Sequence, residues 1–320
     1  MSGPLPARLG RWLTGLLLIV AWMAPLLAND RPLILAAKEV TFPALGQLPL
    51  AGPWLERAGW EHRDWRQAVA GERWRLPAPI PYSYRQTDLE ASLSPPSRRH
   101  LLGTDRLGRD LASRILAGCA VSLQVGLIST AVALALGILL GALAGFLGGA
   151  VDFVVSRTVE VALCFPTFFL ILTVLAFRSP SLLLLFAVIG LSRWPSLARY
   201  VRAEVIRVRE GAFVEAARAT GAGAWRVLLR HVLPHALAPA LVAATFQLAG
   251  AMLVEAGLSF LGFGVPEPLP SWGGLLRDAQ GTGSWWLVLF PGLTLTLAVT
   301  GVQLVGERFR DALDPRIARL

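Results

Sequence analysis

Residues 210–239 read EGAFVEAARATGAGAWRVLLRHVLPHALAP, a polar, arginine-bearing island between two hydrophobic blocks. Glu215, Ala216, Ala217 and Arg218 are good helix formers, and the run from Ala224 to Leu233 predicts a second helix. Gly221 and Gly223 separate the two, and Pro234 predicts a further interruption. Two short helices with a break between them, held at a membrane surface, would make a docking handle for a partner. An ordinary interhelical loop has the same composition, so the flanking sequence decides what the island is for.

Those flanks are apolar. Of the 320 residues, 54% are hydrophobic and 16% charged, less charge than a soluble protein of this length carries. The net charge of +9 is carried by arginine, Lys38 being the sole lysine, and the arginines fall between apolar runs rather than on one soluble domain. That distribution points to a membrane, not to nucleic acid. Cys119 and Cys164 lie in or beside apolar stretches without metal or redox spacing, so both are expected to serve in packing.

Six membrane spans are expected. The first, Trp12–Leu27, follows Arg8 and Arg11 and resembles a signal peptide with Ala28 near a cut, but its length favours a retained helix. The second runs from Val121 to Leu147, and its Gly137, Gly141 and Gly145 have the spacing that permits close helix contact. The third ends near Phe177 after an amphipathic lead-in from Val151, with Pro166 able to kink it. The fourth covers Leu182 to about Leu197, the fifth Leu237 to about Phe263 and the sixth about Trp285 to Val305. Glu255, the one acid of the fifth span, must sit near an interface, face a cavity or have a partner.

Residues 29–118 form the only extended soluble segment. Trp54, Trp60, Trp65 and Trp74 punctuate it, suited either to a docking surface or to the core of a small domain, and PAPIPYSY (Pro77–Tyr84) forces an extended or turning path. In HLLGTDRLGRDLASRILAG (His100–Gly118), Asp110 and Arg114 are spaced as an i,i+4 pair supporting a helix. His100 and Asp105 are too few for a metal site.

Arginine counting orients the spans. Arg8 and Arg11, then Arg199, Arg202, Arg207, Arg209, Arg218, Arg226 and Arg230 of the island and its approach, then Arg308, Arg310, Arg316 and Arg319 of the tail, all fall on one side if the spans number six. The positive-inside rule makes that side cytoplasmic and residues 29–118 extracytoplasmic.

The island resembles the signature loop of binding-protein-dependent ABC importer permeases: Glu215, Ala216, Ala217, then Gly221, then Leu233 and Pro234. Within that superfamily the chain is similar to the second permease subunit of the dipeptide/oligopeptide/nickel family. The stretches that carry this likeness are HLLGTDRLGRDLASR (His100–Arg114), EAGLSFLGFGV (Glu255–Val265), PSWG (Pro270–Gly273) and RDALDPR (Arg310–Arg316). The chain departs from the family's pattern at His231, at Ala120 and in GERFRDALDP, where Glu307, Arg308 and Phe309 are substituted.

The resemblance implies an all-α membrane protein with the six-helix transmembrane fold of type I ABC importers and an extracytoplasmic insert between helices one and two. It divides the chain into a cytoplasmic N-terminus and first span (1–28), the insert (29–118), a permease core (119–306) holding the cytoplasmic coupling loop 199–236, and a cytoplasmic tail (307–320). It assigns ATPase coupling to Glu215, Ala216, Ala217 and Gly221, seconded by Arg218, Trp225, Arg226, Arg230, Leu233 and Pro234. Glu215 would contact the ATPase, the alanines would allow close approach and Gly221 would permit the turn. A carboxylate that merely caps its own helix is the bland reading of Glu215, and a lipid anchor that of Trp225.

The implied partners are a homologous permease, two ABC ATPase subunits, an extracytoplasmic solute-binding protein, a peptide substrate and the bilayer of a bacterial inner membrane, with no nucleic acid. No cofactor is expected on this chain. ATP and magnesium would belong to the ATPases, since Lys38 follows Ala37 and cannot complete a phosphate-binding loop. Nickel or another small solute is the alternative cargo. A secondary transporter or a scaffold is the alternative class, opposed by the absence of evident inverted repeats and by the coupling loop.

Overall fold

The computed structural model describes residues 5–31, 33–36, 40–41, 44, 74–76 and 78–313. Trp54, Trp60, Trp65, Lys38, Arg316 and Arg319, and the side chains of Arg8, Arg11 and Trp74, lie outside the described residues.

The first described element is helix α1 (Leu5–Leu27), which contains the expected first span. Three short strands follow, β1 (Ile34–Ala36), β2 (Val40–Thr41) and β3 (Trp74–Leu76), with β1 in the centre and both neighbours antiparallel to it. Among the described residues the other long elements are helices: α2 (Leu111–Leu147), α3 (Gly149–Cys164), α4 (Thr167–Ala176), α5 (Leu182–Arg209), α6 (Ala212–Ala219), α7 (Ala224–Val227), α8 (Leu233–Phe260), α9 (Trp272–Asp278) and α10 (Trp285–Leu313). Among the described residues, α2, α5, α7 with α8, and α10 are long and apolar enough to cross a membrane. The pair α3 and α4, bent by 79°, makes a fifth span if counted as one. The bend sits where Pro166 holds Phe165 in extended backbone, at φ −91° and ψ 134°, because the proline ring disfavours the helical region for the residue before it.

Several expected boundaries move. Helix α5 continues past Leu197 to Arg209, since the arginines there are good helix formers and Val201, Val205 and Val208 bury a stripe. Helix α2 begins at Leu111 because Asp110 caps it: the Ser113 amide donates to Asp110 Oδ1 at 2.8 Å. The sixth span continues helically into the tail as far as Leu313. Cys119 is buried, but Cys164, expected to pack, is exposed on α3.

The chain packs as two compact units, one centred on Val125–Glu255 with the stretch from Val299, the other on Leu13–Gln124 with Ala256–Ala298. In the first, the glycine stripe of α2 faces α5. A Cβ at Gly137 would stand 2.6 Å from that of Leu197, one at Gly141 2.5 Å from the Ala198 carbonyl oxygen, and one at Gly145 2.8 Å from the Arg202 carbonyl oxygen. The two backbones therefore touch along the seam, as small residues allow. Arg209 Nη1 donates to the Gly145 carbonyl at 2.7 Å, satisfying the last turn of α2, and Arg202 grips Asp152 of α3 through Nε and through Nη2 at 2.6 Å. Because the Gly141 obstacle is backbone, Gly141→Ala should cost roughly 1–3 kcal/mol, read as a lower unfolding temperature of the detergent-solubilised protein.

In the second unit, the expected Asp110–Arg114 pair is not formed. Asp110 turns instead to His100, whose Nδ1 lies 2.9 Å from Oδ2, and both side chains are buried. Arg114 reaches Asp105 and, at 2.9 Å, Asp278 of α9. Asp105 also accepts from the amides of Leu107 at 2.8 Å and Arg109 at 2.9 Å, and from Arg109 Nε at 2.7 Å. Trp272, fully buried, donates from Nε1 to the Ile115 carbonyl at 3.2 Å, and Trp286 donates to the Thr104 carbonyl at 3.2 Å. The charged run thus forms a buried ionic knot around Asp105, with the buried His100–Asp110 pair as a separate contact. Glu255, at the end of the first unit, is fully buried and engaged by a partner, as a carboxylate inside an apolar span must be.

Candidate functional site

The island folds onto the end of α5. Val214 of α6, Val227 of α7, and Leu228, Val232, Ala236 and Ala240 beyond it are buried with Val201, Val205 and Val208 in one apolar cluster. The spacing of four from Leu228 to Ala240 places that stripe on one helix face. Ala217, Ala222 and Leu233 pack against the same cluster.

The break between α6 and α7 is a Schellman cap. The Gly221 amide donates to the Arg218 carbonyl at 3.0 Å and the Ala222 amide to the Ala217 carbonyl at 3.1 Å. Gly221 has φ +84°, which an L side chain adopts only at a cost, although no atom would obstruct a Cβ there. Gly223 starts α7 at φ −64° and ψ 153°, a conformation open to any residue, with equally free space. Gly221→Ala should therefore lose roughly 1 kcal/mol of cap stability, while Gly223→Ala should be close to neutral. Hydrogen exchange of the Thr220–Ala222 amides in the two variants checks the difference.

Pro234 does not interrupt the helix. Residues Leu228–Val232 make a wider π-type turn through which α7 runs on into α8, and Pro234 falls within the first turn of α8. A π turn is one of the ways a helix accommodates a local disturbance without breaking.

This scaffold divides the expected coupling residues. Ala217 and Leu233 face inward. Glu215, Ala216, Arg218, Gly221, Arg226, Arg230 and Pro234 are exposed, as is Trp225, with 59% of its surface free. Helix α6 packs on α7 and on the π turn, so both short helices belong to one rigid piece. Glu215 is the acid in the first turn of α6, where its charge suits the helix N-terminus, and among the described residues its carboxylate makes no ion pair. Among the described residues, Arg218, Arg226 and Arg230 form no ion pair, in contrast to Arg202 with Asp152 and Arg207 with Glu204. One carboxylate, three guanidiniums and an indole thus face outward together, and Trp and Arg are the residue types that carry most binding energy where proteins dock. The sequence reading missed the anchors Val214, Val227, Leu228 and Val232, although their spacing was available.

The family described as binding-protein-dependent transport system inner membrane component matches residues 137–319, which include the whole island. The dipeptide transport system permease protein DppC of Alkalihalophilus pseudofirmus is 40% identical over 237 residues, covering 73% of this chain and 78% of that protein. A putative peptide transport system permease protein of Brucella suis is 39% identical over 233 residues, 72% of this chain and 78% of its own. A putative peptide permease protein of Brucella ovis is 40% identical over 241 residues, with 74% and 80% covered. On a match that spans more than half of the sequence and relatives aligned over most of it, the chain belongs to the family of binding-protein-dependent transport system inner membrane components.

Proposed function

We propose that this multi-pass permease is the second of two pore subunits in an ATP-driven importer that carries di- and oligopeptides across a bacterial inner membrane. Six spans, α1 supplying the first, put the island and both termini in the cytoplasm. The segment before α2 (residues 29–110) and the loop between α8 and α9 (residues 261–271) then face a solute-binding protein that delivers the peptide. Two ATPase subunits receive the coupling helices α6 and α7, one set from this chain and one from a homologous permease. Their ATP-driven dimerisation moves those helices and switches the pore between its inward- and outward-facing states. Nucleotide and magnesium belong to the ATPases.

The observation that carries this reading is the exposed set of Glu215, Arg218, Trp225, Arg226 and Arg230, without ion pairs among the described residues, on a scaffold packed on the α5 core. Charges left without partners on a rigid surface suit a partner that supplies them. The relatives' names favour peptides as cargo. The test is uptake into vesicles holding both permeases, both ATPases and the binding protein, with a labelled peptide pool compared against nickel. Peptide should accumulate only with ATP. Movement of nickel without peptide would overturn the cargo, and uptake without the ATPases would overturn the transporter class.

A further inference from the structure

Arg193 lies on α5, eleven residues past Leu182 and so roughly 16 Å along the helix, well inside a candidate span. It is half-buried, and its guanidinium stays protonated at any physiological pH. Its one side-chain bond is from Nε to Gln247 Oε1 at 2.8 Å, and Gln247 Nε2 donates back to the Arg193 carbonyl at 3.5 Å. Gln247 is near the middle of the 28-residue α8. Among the described residues Arg193 forms no ion pair. Room for the head group is made at Gly250, where a Cβ would stand 2.5 Å from Nη2. Among the described residues the terminal nitrogens Nη1 and Nη2 have no acceptor.

A permanent cation on a candidate membrane span, held by a neutral amide and set in a glycine notch, is costly unless it meets water or an anion. Helix α3 is held to α5 by a different arginine, Arg202, through Asp152. A guanidinium fixed at Nε presents Nη1 and Nη2 as a fork that matches a carboxylate.

We propose that Arg193, positioned by Gln247 and the Gly250 notch, binds the C-terminal carboxylate of the peptide as it crosses the membrane. The C-terminal carboxylate is the one anion that peptides of any sequence share, so the contact serves a carrier of mixed peptides. This inference rests on the peptide reading above and adds a residue that recognises the cargo within the pore.

The experiment uses the full transporter in vesicles, with binding protein preloaded with Ala-Ala or with Ala-Ala amide, so that capture from solution does not enter the comparison. Uptake of the two is measured for the wild type, Arg193→Gln, Arg193→Lys and Gly250→Ala. The preference for the free acid should fall on the order of tenfold or more in Arg193→Gln, the size set by a charge-assisted hydrogen bond. It should fall comparably in Gly250→Ala, which keeps the charge but displaces the fork, and less in Arg193→Lys. An unchanged preference in Arg193→Gln, whether both peptides slow together or neither does, overturns the proposal and leaves the peptide reading standing. Loss of the partner permease from purified Arg193→Gln complex assigns the arginine to assembly and also overturns it. A wild type that moves neither peptide defeats the peptide reading itself, and this proposal with it.

Discussion

Replacing Asp105 with alanine should destabilise the protein by about 3–5 kcal/mol, because it breaks a buried ion cluster from its centre. The Asp105 side chain is 1% exposed, and it neutralises Arg109 and Arg114, themselves only 8% and 4% exposed. Without it, Arg109 keeps only long contacts, 3.4 Å to Asp278 and 3.5 Å to Glu267, and two backbone amides lose their acceptor. Arg114 keeps Asp278 alone. Asp105→Asn retains the shape but not the charge and should still lose most of the effect. Glu267→Ala is the control: Glu267 is 52% exposed and its single contact is long, so less than about 1 kcal/mol should be lost. Thermal and denaturant unfolding of the detergent-solubilised protein separates these outcomes. Equal stability of the Asp105 and Glu267 variants would show that the knot does not hold this unit together.

The second large effect is expected at Glu215 and falls on assembly, not on folding. Among the described residues its carboxylate makes no ion pair, so Glu215→Arg should move the unfolding temperature only slightly. If the carboxylate meets a basic group of an ATPase subunit, reversing its charge costs about 2 kcal/mol or more, roughly thirtyfold in association. ATP turnover stimulated by loaded binding protein should fall with it. Val214→Asp makes the complementary case: Val214 is fully buried, and a charge there should unseat α6 and lower stability and coupling together. A Glu215→Arg variant with full ATPase association and full stimulated turnover would remove the residue from the interface.

Features written in local sequence were legible. Gly221 announced the break between α6 and α7 because a helix end in left-handed backbone selects glycine. Pro166 announced the bend between α3 and α4, and the glycines of α2 announced a close helix seam, though not that α5 would fill it. Features that depend on distant partners were not legible. Asp110 and Arg114 have helical pair spacing, yet each finds a better partner elsewhere: His100 for the aspartate, and Asp105 with Asp278 for the arginine. Pro234 read as a break because sequence alone does not show a π turn just ahead of it. Of the ten residues assigned to coupling, Ala217 and Leu233 turned out to face the core, which only the packing of α6 and α8 on α5 decides. Arg193 went unremarked because its surroundings, Gln247 and Gly250, are brought to it by another helix.

The account stands most directly on the island being the surface that an ATPase grips. A photoreactive amino acid placed at position 225, where the native tryptophan is 59% exposed, reports which neighbour lies there in the assembled transporter. The expected product is a cross-link to the ATPase subunit, strengthened or weakened by ATP as the coupling helices move. A cross-link to the solute-binding protein, or none to any subunit while the complex still transports, would contradict it.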